Sequence, residues 1–393
     1  MVRSPKHTEG ETSLEERSRQ RTERERAAFG DAPPAEEDHI TEPEIWWSQH
    51  FQWLKDRGYL LRPRYAPDWT PSWKGTNKDS FLCEDGVVPR FATHLLDGTR
   101  LSDGQYVTLK IIRKSIHPYE VEIGQKFSSE PFRSNSANHC VPIYEVIPTP
   151  ESDDKVIIVM PLLREYTSPS FCTIGEAVEC FRQLFEGLSF MHKSRVAHRD
   201  CGHMNIMMDP TGLCIDAFHP VYPFMKRDYS GYARFKTRTR QPVKYYFIDF
   251  GLSRYYDPSI VKPLEVPVWG GDKEVPEFQN SNEPQDPFAT DVFYIGNAIK
   301  QDFIESKHGF EFMQPLIADM VQNDPSKRPT MDEVVTRFET IRRHLSAVKL
   351  RSRVVDKEEG ILTVTVRTMG HWIRQLAYVI RRLPAVPPPP PTS

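Results

Sequence analysis

The chain has 393 residues, a formal net charge of only −3, and 27% charged and 38% hydrophobic residues. This balance indicates a globular protein with no strong field toward nucleic acid or an acidic membrane, and the length suits one large two-lobed domain with tails, or two domains. Six cysteines without a C-x-x-C pair, no secretory signal and no apolar run near the roughly 20 residues of a membrane span favour an intracellular setting, cytoplasmic or nuclear.

The N-terminal region divides by composition. Residues 1–40 are rich in Glu and Arg and have few large apolar side chains, which predicts a disordered charged tail. Within residues 41–79, large apolar side chains recur at near-helical spacing, namely Trp46, Trp47, Phe51, Trp53 and Leu54. This stripe predicts a helix that packs on the main domain, so we interpret 41–79 as a Trp-rich N-terminal extension.

Residues 80–160 have the pattern of a small β-rich unit with one helix. The β-rich run 106–112 contains Lys110, which is either an edge residue or a buried cation with a dedicated anion. Glu120 and Glu122 follow on a segment that is predicted to be helical. Two further strands complete the unit.

The next part of the chain is predicted to be mostly helical. The clearest helix covers residues 174–191, where apolar side chains recur at i, i+3 and i+4. The aromatic and basic segment 210–242 contains Pro and Gly and is interpreted as an insertion, and a strand follows it at 244–248.

Residues 348–393 form a C-terminal tail. Residues 361–367 are predicted to form one strand, and 372–383 form a short basic amphipathic stretch. That stretch could lie on a membrane surface, but a docking or disordered tail is the favoured interpretation. The proline run 387–391 favours polyproline II, a form that adaptor domains bind.

A polar loop follows the long helix, with the sequence His198-Arg199-Asp200-Cys201-Gly202-His203-Met204-Asn205. Its spacing, H-R-D-x-x-x-x-N, is that of a protein-kinase catalytic loop, although by itself it could be a polar turn. The strand at 244–248 then ends at Asp249-Phe250-Gly251, a second motif of the same set. The order of these elements resembles a eukaryotic protein kinase over roughly residues 80–345. The resemblance implies a two-lobed α+β fold, with a domain at 80–347 whose lobes are 80–160 and 164–347.

The resemblance also implies ATP and Mg²⁺ as cofactors and a protein hydroxyl as the acceptor of the γ-phosphate. Asp200 would orient that hydroxyl and accept its proton. Asn205 and Asp249 would hold magnesium, which bridges the nucleotide phosphates. No nucleic-acid partner and no transmembrane span are expected.

Nucleotide contacts follow from the same resemblance. Lys110, in Val-Thr-Leu-Lys where the family has Val-Ala-Ile-Lys, would be a catalytic residue that clamps the α and β phosphates. Its partner would be Glu120, with Glu122 as the open alternative. Met160 would be the gatekeeper, and the hinge that ends at Leu163 would contact adenine.

A third set of residues would support the site without touching ATP. His198, Arg199, Phe250 and Gly251 complete the two motifs. Val275-Pro-Glu277 stands where the family has Ala-Pro-Glu, Asp291 would cap the H-R-D turn, and Arg328 would pair with Glu277. Because small-molecule kinases are implied to lack this last trio, a protein substrate is favoured over a metabolite.

The chain departs from the family at several positions. It has no G-x-G-x-x-G loop, Gly202 replaces a phosphate-contacting lysine, and Gly270 stands where a threonine is usual. Asp249 follows Asn205 by 44 residues. These features and the Trp-rich flank are similar to a divergent fungal group of kinase-like proteins. They leave open a pseudokinase scaffold or a nucleotide-binding module without transfer activity.

Overall fold

A computed structural model describes residues 39–87, 89, 93–268, 274–279 and 281–390. With 39% of residues helical and 17% in strands, the fold is mixed, which confirms the α+β class. Residues 1–38, where the charged tail is predicted, lie outside the described residues, as does Gly270. Among the helices that the structure describes, none has the length and apolar character needed to cross a bilayer.

The strands form one large sheet and several small ones. In chain order they are β1 (Tyr59–Leu60), β2 (Leu95–Arg100), β3 (Tyr106–Arg113), β4 (Glu145–Thr149), β5 (Ser152–Pro161), β6 (Arg164–Glu165), β7 (Val196–Ala197), β8 (Ile206–Met208), β9 (Tyr245–Phe247), β10 (Arg254–Tyr255), β11 (Lys307–His308) and β12 (Val355–Asp356). The large sheet is antiparallel, with the strand order β1-β2-β3-β5-β4.

The helices lie mainly in the second half of the chain. They are α1 (Ile45–Gln49), α2 (Phe51–Asp56), α3 (Glu120–Ser128), α4 (Ile174–Lys193), α5 (Pro276–Gln279), α6 (Pro287–Ile299), α7 (Gln314–Met320), α8 (Met331–His344), α9 (Ala347–Arg351) and α10 (Ile361–Ile380). A π-helical turn, Lys300–Glu305, continues α6.

The two faces of the large sheet belong to different hydrophobic clusters. Side chains of β5 alternate with the period of two that a strand imposes. Val156, Ile158 and Met160 pack toward α3 and α4, on what we call the inner face. Ile157 and Val159 pack toward the N-terminal extension, on the outer face. The sheet is therefore covered on both sides.

The N-terminal extension covers the outer face with tryptophan and other large apolar side chains. Trp47 and Leu54 are fully buried in the outer cluster, and Phe51 joins them. The extension also supplies an edge strand, because Tyr59 pairs with Arg100 of β2. The sheet thus begins at Tyr59, well before the predicted domain boundary at residue 80.

Helix α4 is the centre of the helical part. It begins at the N-cap Thr173, whose side chain accepts a hydrogen bond from Glu176 N at 3.0 Å. Apolar side chains on most of its circumference are buried, including Phe181, Leu184 and Leu188, each fully covered. Sequence periodicity predicts this helix correctly to within two residues.

Two other regions differ in how well the sequence describes them. Residues 210–242 form neither a helix nor a strand, and isolated bridges such as Cys214 to Phe235 hold them. The strand predicted at 361–367 is wrong, because these residues begin α10. Backbone hydrogen bonds within the helix and contacts of its other turns outweigh the strand propensity of the residues from Thr363 to Val366.

Candidate active site

One buried carboxylate holds the loop with the H-R-D motif. Asp291, in α6, accepts hydrogen bonds from the backbone N–H groups of His198 and Arg199, each at 2.7 Å. Arg199 has a φ of 67°, in the left-handed region that is costly for a residue with a Cβ. Asp291 therefore stabilises a strained turn directly before Asp200, the contact that the resemblance predicts.

Asp200 and Asn205 interact directly across this loop. Asn205 Nδ2 donates to the backbone oxygen of Asp200 at 2.8 Å and to its Oδ2 at 2.9 Å. The first bond closes the loop through the backbone, and the second fixes the position of the carboxylate relative to it. A Cβ added to Gly202 would meet no atom within 4 Å, so the absence of a long side chain there has no steric cause.

The turn that contains Asp249 is joined to the same loop through Ile248. Ile248 N donates to Asn205 O at 3.0 Å, and Ile248 O lies 3.0 Å from His198 Nε2. The backbone N–H of Asp200 donates to the other ring nitrogen of His198 at 3.3 Å. These contacts fit a neutral imidazole that carries its proton on Nε2. Burial lowers the pKa of His198, although Asp291 and Asp249 oppose this shift.

Lys110 lies between two carboxylates on the inner face of the sheet. Its Nζ is 2.6 Å from Glu120 Oε1 and 2.8 Å from Asp249 Oδ1. Glu122 is exposed on the other side of α3, so Glu120 is the partner of the two that the sequence left open. Lys110, Glu120 and Asp249 form what we call the lysine cluster.

The lysine cluster carries more negative than positive charge. Burial would lower the pKa of Lys110, but the two carboxylates outweigh it and raise that pKa. Burial would raise the pKa of Asp249, but Lys110 outweighs burial and lowers it. Burial raises the pKa of Glu120, and Lys110 offsets this shift only in part. Asp249 is therefore the first of the two carboxylates to ionise, and its side chain is 46% exposed.

Phe250 and Gly251 anchor the turn that carries Asp249. Phe250 is buried, with its ring centroid 6.4 Å from that of Phe127 and 5.7 Å from that of His198. Gly251 N donates to Asp249 Oδ1 at 3.2 Å. Asp249 itself has a φ of 62°, which is a second strained backbone position at the site.

Met160 lies near the end of β5, and Leu163 follows that strand. Strand β3 pairs with β2 along one edge and with β5 along the other. Met160 is buried and aligned with Thr108, two residues from Lys110. Leu163 is half-buried against the main hydrophobic cluster, and the preceding Leu162 N donates to Tyr106 O at 3.2 Å. Both residues therefore lie near the inner face on which the lysine cluster stands.

A second set of charged side chains occupies the same inner face. Asp97 of β2 is the cross-strand neighbour of Thr108 in β3, and Thr108 is in turn the cross-strand neighbour of Met160 in β5. The three side chains therefore share one face of the sheet. Asp97 Oδ2 is 2.5 Å from Arg227 Nη2, and its Oδ1 is 3.2 Å from Arg62 Nε, close but poorly aligned for a hydrogen bond. We call Asp97, Arg62 and Arg227 the arginine cluster. It joins the sheet to the N-terminal extension and to the insertion.

The side chain of Arg199 is paired with a carboxylate of the same chain. Its Nη2 lies 3.1 Å from Glu265 Oε2 and donates to Val266 O at 3.0 Å. The segment after the Asp249 turn is thus held to the loop by a carboxylate of this chain.

The predicted pair of Arg328 and Glu277 is present. The two nitrogens Nη1 and Nη2 of Arg328 lie 2.8 and 2.6 Å from the two carboxylate oxygens of Glu277, in a bidentate arrangement. Thr290 Oγ1 also donates to Glu277 at 3.0 Å. This pair joins α5 to the turn before α8.

Sequence reasoning missed Asp97, Arg62, Arg227, Glu265 and His117. His117 Nδ1 lies 3.1 Å from Gly251 O, beside the lysine cluster. Of these five residues, only Asp97 carries a local signal, since it is a charge that directly follows two leucines in a strand. The other four give no such signal, because they come from distant parts of the sequence and meet only in the fold.

No protein-family model matches this chain, and no curated protein matches its sequence.

Proposed function

We propose that the protein transfers the γ-phosphate of Mg-ATP to a protein hydroxyl, on a two-lobed protein-kinase-like fold. The observation that carries the proposal is the lysine cluster, where Lys110 contacts both Glu120 and Asp249. The loop with Asp200 and Asn205 is hydrogen-bonded through Ile248 to the turn with Asp249. Phosphoryl transfer needs a cation, acidic metal ligands and a group that orients a hydroxyl, and these residues supply all three.

Each residue has a physical role in this proposal. Lys110, kept protonated by its carboxylates, binds phosphate oxygens, and Glu120 holds its ammonium in position. Asp200 accepts the proton of the acceptor hydroxyl, and the bond from Asn205 Nδ2 to its Oδ2 keeps its carboxylate oriented. The strained turn held by Asp291 fixes the loop, so little reorganisation is needed when substrate binds.

The residues present suit magnesium only together with a nucleotide. Among the described residues, no group of three or more His, Cys, Asp or Glu side chains is placed to hold a metal ion. Magnesium binds through one or two protein ligands and the phosphates in such sites, and it neutralises charge on the transferred group. Asp249 is half exposed, and the amide nitrogen of Asn205 is engaged, which leaves its oxygen as the ligand atom.

A protein substrate is supported by the segment after the Asp249 turn. The bidentate pair of Arg328 and Glu277 anchors its end, and the pair of Arg199 and Glu265 holds its middle. A segment held at these two points can serve as a platform for a peptide. Because Glu265 already supplies the negative charge beside Arg199, we expect activity without phosphorylation of this segment.

The arginine cluster favours a second candidate function, that of a scaffold without transfer activity. Nucleotide pockets are mostly apolar, so that a flat base can be covered. Here the inner face beside Thr108 and Met160 carries the buried Asp97 with its two arginines. While Asp97 stays paired with Arg62 and Arg227, this side of the sheet offers no apolar slot for the base of a nucleotide.

One experiment separates these candidates. Purified full-length protein would be incubated with magnesium and labelled ATP, alone and with a generic protein substrate. Transfer that is lost in Asp249→Asn supports the kinase. Thermal stabilisation by ATP without transfer supports the scaffold, and transfer to a metabolite only would point to a small-molecule kinase. No binding and no transfer would overturn the proposal.

A further inference from the structure

Helix α10 packs on the protein through its polar side. Its buried side chains are His371, Gln375 and Tyr378. His371 Nε2 lies 2.7 Å from Arg351 O, and the Tyr378 hydroxyl lies 2.9 Å from Thr237 Oγ1. A surface helix of a globular protein normally turns its apolar stripe inward. This helix does the opposite.

The apolar side of α10 faces outward over the whole length of the helix. Six large aliphatic or thioether side chains on it are between 62% and 83% exposed, namely Leu362, Val366, Met369, Ile373, Leu376 and Ile380. At about 100° per residue they form one continuous stripe. Trp372 borders the stripe and is 41% exposed. Contiguous apolar surface of this extent marks a binding face for another phase or molecule.

From α10 onward the charges have one sign, although Arg367 in the first half of the helix is paired with Glu359, which precedes the helix, at 3.1 Å. From Gly360 to the last residue the sequence contains no Asp or Glu, but it contains Arg367, Arg374, Arg381 and Arg382. The three arginines from 374 onward are exposed. The overall charge of −3 hides this local basic surface, because acidic residues elsewhere in the chain balance it.

We propose that α10 is a membrane-docking helix that lies flat on an anionic lipid surface. Its apolar stripe would enter the boundary between headgroups and acyl chains, its arginines would bind anionic headgroups, and Trp372 would lie at the interface. The helix cannot span the bilayer. A second copy of the chain is a poorer occupant, because its α10 would bring the same arginines and no carboxylate to pair with them.

The geometry allows docking without rearrangement. The polar contacts of His371 and Tyr378 hold α10 on the body while its apolar stripe is already exposed. A helix of 20 residues is about 30 Å long, so the stripe offers an elongated, shallow contact. Docking is independent of phosphotransfer, since none of the α10 residues belongs to the lysine cluster or the catalytic loop.

Flotation of the full-length protein with lipid vesicles tests the proposal. We expect binding to vesicles of phosphatidylcholine with phosphatidylserine, and much weaker binding to phosphatidylcholine alone. The double variant Ile373→Glu, Leu376→Glu should reduce binding by about tenfold or more, since it places charges in the apolar stripe. The matched control is Ile116→Glu, which changes an isoleucine that is 60% exposed outside α10 and should bind like wild type.

A second pair of measurements addresses the arginines and the alternative occupant. Arg381→Gln with Arg382→Gln should lower the preference for phosphatidylserine, and added salt should weaken binding of wild type. Equal flotation of wild type and the double variant Ile373→Glu, Leu376→Glu, or no flotation of wild type, would overturn the proposal. Dimerisation that this double variant abolishes, without vesicle binding, would overturn it in favour of a second copy.

Discussion

The lysine cluster and the arginine cluster lie on the inner face of one sheet, and they differ in how much of their carboxylate is exposed to solvent. In the lysine cluster, Asp249 keeps 46% of its side chain exposed. In the arginine cluster, Asp97 is 3% exposed and Arg62 2%. A half-exposed carboxylate beside a buried cation can bind a ligand, whereas a fully buried ion pair mainly joins segments of the chain.

Loss of the central carboxylate is expected to destabilise the protein more in the arginine cluster than in the lysine cluster. Two arginines contact Asp97, so its loss removes the closest anion of the buried Arg62, which keeps only Glu84 at 3.3 Å, and of the half-buried Arg227. Lys110 keeps Glu120 if Asp249 is lost. Residues in functional sites are often poorly optimised for stability. A buried charge is therefore not by itself evidence for catalysis.

The largest expected effect is on stability. Asp97→Asn should lower the free energy of unfolding by about 3–5 kcal/mol, because it removes one partner of a buried ion cluster. Asp249→Asn should change it by about 1 kcal/mol or less, because Lys110 retains Glu120. Urea unfolding of the two variants measures both values.

The control for these two variants is Asp216→Asn. It breaks a surface ion pair with Arg234 at 2.7 Å in the insertion that also contains Arg227. It should leave the unfolding midpoint nearly unchanged, since exposed pairs contribute little. If Asp249→Asn destabilised the protein as much as Asp97→Asn, the distinction between a ligand site and a structural cluster would fail.

A smaller effect is expected on activity. Glu120→Gln should lower the rate of phosphotransfer about a hundredfold, because Lys110 would lose the partner that positions it. The matched control is Glu122→Gln, two residues away on the exposed side of α3, which should keep the wild-type rate. Rates measured at saturating ATP compare the two, and an equal loss in both would contradict the assignment of Glu120.

The smallest expected effect is a change in acid stability. Burial would raise the pKa of Asp97, but Arg62 and Arg227 outweigh burial, so the pKa lies below its ordinary value of 3.8. The stabilisation by its carboxylate is therefore fully present above that value and is lost as the pH falls through the folded pKa. The stability difference between wild type and Asp97→Asn should shrink as the pH falls below 3.8. A difference that stays constant with pH would show that Asp97 acts through packing alone.

Much of the candidate site could be predicted from short motifs. The spacing between His198 and Asn205 identified the loop, and the structure places Asp200 and Asn205 in hydrogen-bond contact. The pairing of Lys110 with one of two nearby glutamates was also foreseen, since the two positions are close in sequence. Which glutamate faces inward depends on the rotation of α3, and the spacing alone did not decide it.

The arginine cluster could not be predicted in this way. Arg62, Asp97 and Arg227 come from the N-terminal extension, a strand of the sheet and the insertion, and no local rule connects them. Residues 210–242 are interpreted from the sequence as an insertion and contain no helix or strand, and their contact with β2 depends on how the chain folds back. Long-range ion pairs of this kind are decided by tertiary packing.

The two 20-residue helices show what the sequence determined by itself and what it did not. Both α4 and α10 have a periodic apolar stripe, and periodicity along the chain follows from the 3.6 residues of each helical turn. For α4 the tertiary structure buries the stripe at the centre of the core. For α10 it covers the polar side and leaves the stripe in solvent. A pattern defines which side chains share a face, but only the neighbours in space decide which face is covered, because burial depends on the free energy of all surfaces that meet there.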